Sequence, residues 1–227
     1  MSRPLHIACC SPIPNPGWRW ISRALGEQHT WEFFNTAPRS RIEQRITKPS
    51  IARFRACREV ARAANRPGTN LLVTHSPLVT CWSELFRSGG RAGKKRVPHL
   101  AFSFNFTELP TGIRHKLMRR AFANVDRFVV FSEFEQTLYS ERFGIPLEKI
   151  DMIHWGVQAP PDDDRSPLIP GEYICAVGSQ GRDYRLLLNA LRLTPEIQLA
   201  VVATPENLTG LSIPENVTIH TNIPRED

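Results

Sequence analysis

Short β-branched or aromatic runs alternate with helical patterns along most of this chain, and that alternation restricts the fold more than any other feature. Strand-like runs fall at Leu5–Cys9, Trp31–Asn35, Leu71–Thr74, His99–Ser103, Arg127–Phe131 and Ile150–Ile153. Helical patterns fall at about 18–27, 50–65, 78–87, 111–124 and 133–143. Strands separated by helices are the mark of βα units around a parallel sheet, so an α/β fold is expected. Ser132 with Glu135 three residues on forms a capping box, so the run ending at Phe131 leads straight into a helix.

The alternation breaks at Gln158–Pro170, QAPPDDDRSPLIP, where four prolines and three aspartates leave no apolar period. Such a stretch reads as a linker. Beyond it come a strand at Tyr173–Val177, a glycine turn, a helix at Arg182–Leu193, and strands at Gln198–Val202 and Val217–His220. The expected organisation is a Rossmann-like domain over 1–157, a linker over 158–170, and the start of a second α/β domain over 171–227. About 60 residues fall short of the 100 or so such a domain usually has. An incomplete second domain is therefore expected.

The charge divides along the same line. Residues 1–166 hold 25 Lys/Arg against 15 Asp/Glu, and residues 167–227 hold 4 against 7. Between Arg39 and Arg66 there are nine basic residues and two acids, and Arg55, Arg58, Arg62 and Arg66 recur at helical spacing opposite Ile51, Phe54, Ala61 and Ala64. A solvated face explains such a ridge. An anionic membrane surface or another polyanion would also suit it. A second basic run, Arg87–Arg96, carries five cations and three glycines, as a loop would.

Several functions are disfavoured. The longest apolar stretch, Leu71–Trp82, is twelve residues and is broken by His75 and Pro77, whereas a membrane span needs about 18 or more. The N-terminus lacks the apolar core of a signal peptide, so a cytoplasmic protein is expected. The five cysteines show no CxxC or Cys/His spacing, which argues against a zinc site and a disulfide scaffold; reduced, mostly buried thiols are expected. Asp162 and Asp164 form a D-x-D, but in a proline-rich linker with no further ligand nearby it reads as a solvated charge run, and no metal is expected. Nucleic acid is not expected either, since only charge, and no recognition motif, points to it.

The chemistry-bearing candidates sit where strands end. The turn Gly178-Ser179-Gln180-Gly181 followed by Arg182 joins a strand to a helix, so its backbone N–H groups and the first-turn arginine suit an anion. A plain βα turn reads the same way. His75 follows a strand's C-terminal end, where α/β proteins bind ligands, and is either a structural histidine or one that binds a substrate or handles a proton. His99 opens its strand and is the poorer candidate. Asn105 and Glu108, in the loop SFNFTELP, can touch ligand hydroxyls or simply cap and turn the chain.

The segment FVVFSEFEQTLYSERFGIPLEKIDMIHWGVQ (128–158), the proline-rich linker and EYICAVGSQGRDYRLLLNAL (172–191) together resemble the centre of retaining GT-B glycosyltransferases of the family 4 type. The match covers about a quarter of the chain. It includes a Ser-Glu helix start, a Gly-Ile-Pro turn and an interdomain turn around Gly156, with His154 and Trp155 where family members commonly carry Asn. LLVTHSPLVTCW, around His75, is more loosely similar to the family's acceptor-side strand and loop. The resemblance implies two Rossmann-like domains, the first binding acceptor and the second a nucleotide-sugar. It implies a donor-phosphate site at Gly178, Ser179, Gly181 and Arg182, with Ser179 replacing one of the family's two cations. It makes His75, Asn105 and Glu108 acceptor-side candidates. The family's glycine-rich first loop is replaced by SPIPNPGW (11–18), with one glycine and three prolines.

The function so implied is transfer of a hexose from a nucleotide-diphosphate sugar to a hydroxyl acceptor in cell-envelope glycan or glycolipid synthesis, metal-independent and without a cofactor. A lipid-linked or glycan acceptor would suit a peripheral position at the inner face of an anionic membrane, with Arg55, Arg58, Arg62 and Arg66 facing it. The family's paired-glutamate motif lies beyond the point reached here, so a non-catalytic module binding a membrane surface or polyanion is the alternative.

Overall fold

The computed structural model describes residues 4–13, 21–22, 28–88, 96–154, 156, 171–178 and 182–221. The chain divides into two compact units, Met1–Val157 and Gln158–Asp227.

In the first unit the strands are β1 (His6–Ser11), β2 (Thr30–Asn35), β3 (Leu71–His75), β4 (His99–Phe102), β5 (Arg127–Val130) and β6 (Ile150–Met152). They form one sheet in the order β2-β1-β3-β4-β5-β6, parallel throughout. Central strands of parallel sheets are covered on both faces and so read as unbroken apolar runs. Ile7-Ala8-Cys9-Cys10 does so, and all four residues are buried.

The helices are α1 (Arg41–Arg45), α2 (Ile51–Ala64), α3 (Pro77–Ser88), α4 (Gly112–Phe122) and α5 (Glu133–Phe143). Successive helices from α2 to α5 pack side by side. Ser50 caps α2 by accepting from Arg53 N–H. Ser132 caps α5 by accepting from Glu135 N–H, as the expected capping box requires, while the return bond of Glu135 Oε2 goes to Phe131 N–H, one residue before the cap. Gly144 ends α5 with φ 66°, the left-handed conformation a C-terminal glycine supplies. The core between α4, α5 and the sheet is aromatic: Phe104 makes edge contacts with Phe106, Phe122, Phe128 and Tyr139.

The second unit holds a parallel sheet β7 (Ile174–Val177), β8 (Leu199–Val202) and β9 (Val217–His220), in that order, with helices α6 (Tyr184–Arg192) and α7 (Pro205–Leu208). Leu188 and Leu191 of α6 pack with Leu199, Val201 and Val217. Asn216 ties the unit's loops together, its amide donating to the carbonyls of Leu191, Thr194 and Ile197.

The expected strands all form, with ends shifted by a residue or two. The sequence pattern missed α1 and α7, which span only five and four residues and show no usable periodicity. The helix expected over 18–27 falls mostly outside the described residues.

Candidate functional site

In the first unit the chain runs from β1 outward to β2, then crosses back past β1 to β3. Connections therefore leave the carboxyl ends of β1 and β3 in opposite directions, and such a switch point is where open α/β sheets bind ligands. Ser11, the last residue of β1, and His75, the last of β3, meet there with Ser11 Oγ 2.9 Å from His75 Nδ1. Ser11 Oγ also accepts from Ile13 N–H at 3.0 Å. Burial pushes the His75 pKa down to about 4, so the ring is neutral at pH 7.

Two serines beside this pair hold backbone conformations that favour glycine: Ser76, at φ 78°, and Ser103, at φ 51°. Non-glycine residues there cost on the order of 1–3 kcal/mol and cluster where function over-determines the backbone. Thr80 holds the Ser76 turn by donating to its carbonyl at 2.8 Å. Neither serine carried a signal in the sequence, because backbone conformation leaves none in a Ser. Asn105 and Glu108 are exposed in the loop after β4, on the strand next to β3. Among the described residues their side chains make no hydrogen bond, so His75 and these two share an edge of the sheet without being tied together.

In the second unit Gly178 has φ 137°, and a Cβ placed there would stand 3.0 Å from Arg182 Nε. Gly178 N–H donates to Val202 O at 3.0 Å and its carbonyl accepts from Tyr184 Oη–H. The helix begins at Tyr184, with Asp183 as its cap accepting from Leu186 N–H. Arg182 thus precedes the helix and is not in its first turn as expected; the Asp183 carboxylate takes the capping place. Among the described residues Arg182 has no acidic partner. It lines a depression of about 410 Å³ with Cys175, Val177 and Tyr184. Ser179 and Gly181 lie outside the described residues, as do the linker with Asp162 and Asp164, Trp155, Val157, and Pro14–Trp18 of the first loop. Gly156 is exposed with open space where a Cβ would stand.

The four arginines of the expected ridge differ in their partners. Arg55 donates to Glu43 Oε1 at 2.8 Å, to Glu59 Oε2 at 3.1 Å and to the Ala37 carbonyl. Glu43, which also accepts from Arg39 N–H and is held below the usual carboxylate range by that bond and by Arg55, fixes it inward. Arg66 lies past the end of α2 and pairs with Glu32. Only Arg58 and Arg62 stand exposed on the helix itself. The seat of α2 is also shifted, to Ala52, Ala56, Cys57, Val60, Ala61, Ala63 and Ala64. Five alanines in that seat let the helix lie close to the sheet, which the count of large apolar residues concealed.

Among the described residues no group of three or more His, Cys, Asp or Glu is placed to hold a metal, and no helix is long and apolar enough to cross a membrane. Cys9, Cys10, Cys57 and Cys81 are buried thiols outside any disulfide, and Cys175 is exposed.

No family model matches the chain, and no curated protein matches it. Solved structures do. A glycosyltransferase from Rickettsia africae superposes with a TM-score of 0.59 at 14% identity, over 98% of this chain and 69% of that one. The lipopolysaccharide outer core galactosyltransferase WaaB gives 0.55 at 11% identity, over 96% and 68%. Anabaena HepE, in complex with UDP, gives 0.55 at 10% identity, over 96% and 69%. The fold is the two-sheet α/β fold of GT-B glycosyltransferases. At these identities the likeness is one of fold.

Proposed function

We propose that the chain is a glycosyltransferase that moves a hexose from a nucleotide-diphosphate sugar to a hydroxyl acceptor without a metal, as family 4 members do, with an acceptor in cell-envelope glycan or glycolipid synthesis. The observation that carries the reading is the fold likeness to glycosyltransferases along nearly the whole chain, both sheets included. That one of those structures is a UDP complex supports a nucleotide donor.

In this reading the acceptor lies over the Ser11–His75 pair. Its oxygen attacks the anomeric carbon as the bond to the nucleoside diphosphate breaks, and its proton leaves with the diphosphate. His75, with a pKa of about 4, carries a proton in about one molecule in a thousand at pH 7. It serves better as a hydrogen-bonding group that orients the hydroxyl than as the store for its proton. The donor diphosphate takes the turn at Gly178–Arg182, where an arginine with no acidic partner among the described residues offers charge-assisted hydrogen bonds worth about 1.5–3 kcal/mol each.

Titration calorimetry with UDP, GDP and ADP in EDTA tests this. One nucleotide should bind, and Arg182→Ala should weaken it at least tenfold. Absence of binding by all three, or affinity unchanged in Arg182→Ala, would overturn the donor site. Product formation from the matching nucleotide-sugar and a mixed glycan and lipid extract tests transfer itself.

A further inference from the structure

Across the first halves of α2, α3 and α4 runs a groove of about 560 Å³. Its floor is apolar: Phe54 meets Trp82 edge-on with ring centroids 4.4 Å apart, and Leu117 lies alongside. Its rim is cationic, with Lys48, Arg53 and Arg114, and no lining residue is acidic. Among the described residues none of these three cations has an acidic partner, unlike Arg55 and Arg66, whose charges are taken by Glu43, Glu59 and Glu32. Beside the groove Ile113 is 86% exposed. It stands four residues before Leu117 and so shares a helix face with it. The helix carrying both, α4, holds Arg114, Lys116, Arg119 and Arg120 and no acid.

An apolar floor, a rim of cations with no acidic partner among the described residues and a projecting isoleucine match the parts of an anionic lipid at a membrane surface. The headgroup phosphate meets the cations, and the glycerol and first methylenes meet the aromatic floor. The exposed isoleucine enters the interface. We propose that this groove, rather than the outer arginines of α2, seats the first unit on anionic membranes. The inference rests on no part of the transfer reading.

The test is sedimentation of the full chain with vesicles of phosphatidylcholine alone or mixed with phosphatidylglycerol. Binding is expected only to the mixed vesicles. Each cation at such a surface contributes about a fivefold gain in affinity, so K48Q/R53Q/R114Q should lose about a hundredfold. R58Q/R62Q, which removes exposed charge from the same helix away from the groove, should lose much less per charge. Ile113→Ser removes no charge and should still weaken binding severalfold. All substituted side chains are exposed or half-buried, and unchanged thermal melting verifies that the variants fold. Equal binding to both vesicle types, equal loss per charge in the two charge-removing variants, or full binding by Ile113→Ser would overturn the proposal. So would a short single-stranded RNA that displaces the protein from vesicles at equal phosphate concentration.

Discussion

Oε1 of Glu84, on α3, lies 2.5 Å from Nδ1 of His99, the first residue of β4, with both side chains sealed from solvent. The carboxylate also pairs with Arg87 at 2.8 Å and with Arg96. Arg87 donates to the Val97 carbonyl, Arg96 to the Asn124 carbonyl, and His99 N–H to Asp126. One buried carboxylate thus fastens the end of a helix, the entry to a strand and the loop before β5. From the other side of the ring, Nε2 lies 2.7 Å from Thr74 Oγ1, which lies 2.8 Å from Thr80 Oγ1. Thr80 holds the Ser76 turn, so a continuous polar chain joins the base of the sheet to the residue after His75.

Glu84→Ala should therefore be among the most damaging substitutions in the first unit. Removing one partner of a buried ion pair costs about 3–5 kcal/mol, because the other charge is left buried. Arg87 is the stranded group, its pKa already pushed down to about 10 by burial. Urea denaturation followed by tryptophan fluorescence should show the loss. Glu84→Met combined with Arg87→Met should recover part of it, since packed apolar groups replace the stranded pair while His99 still lacks its acceptor. A Glu84→Ala protein as stable as the parent would show that the network contributes nothing.

The two buried histidines predict an acid-side loss of stability. His75 is held down to about 4 by burial, and His99 is held well below its ordinary value by burial and then by Arg87 and Arg96. Both folded pKa values lie below the unfolded value of about 6.5, so between those limits the unfolded chain binds more protons and stability rises with pH. The contribution is fully present above pH 6.5. As pH falls it is lost, for His75 down to about pH 4. One such proton contributes at most about 1.4 kcal/mol per pH unit. Denaturation midpoints between pH 6.5 and 5 should therefore fall with a shallower slope in His75→Gln than in the parent, and an unchanged slope would contradict the burial of that ring.

Much of the sheet was legible in the sequence, because a parallel strand covered on both faces must be apolar at every position, as Ile7–Cys10 is. The cap at Ser132 with Glu135 was legible because the pattern is local, and four residues carry it. What depends on distant partners was not. His99 read as a poor candidate because its network partners lie 15 and 25 residues away, at Glu84 and Thr74. Arg55 read as part of a free ridge because Glu43 and Ala37 reach it from outside the helix. At the candidate site His75 was visible as a strand-end histidine, whereas its bond to Ser11 across 64 residues was not.

Gly178 tests the turn in the second unit. At φ 137° a side chain is strained in whatever space it has, and a Cβ would stand 3.0 Å from Arg182 Nε. Gly178→Ala should cost about 1–3 kcal/mol in the stability of this unit. It should also displace Arg182 and lower nucleotide affinity by a factor similar to that of Arg182→Ala. If calorimetry gave parental affinity for Gly178→Ala, the placement of Arg182 against this glycine would have no bearing on a donor.

Cys175 offers a reporter for the same depression that needs no substitution. Four of the five thiols are buried in the first unit, and burial raises Cys81 to about 12 and Cys10 well above its ordinary value, the latter with a hydrogen bond to Cys57 as the larger cause. Thiol reagents attack the thiolate, so these groups should be inert in the folded protein. An aromatic disulfide reagent should then titrate one thiol in the native chain and all five in denaturant. Because Cys175 lines the depression with Arg182 and Tyr184, a nucleoside diphosphate seated there covers it. Native labelling should slow in proportion to site occupancy as UDP, GDP or ADP is added, and only for the nucleotide that calorimetry detects. A nucleotide that binds while leaving the labelling rate of Cys175 unchanged would place the donor somewhere other than beside Arg182.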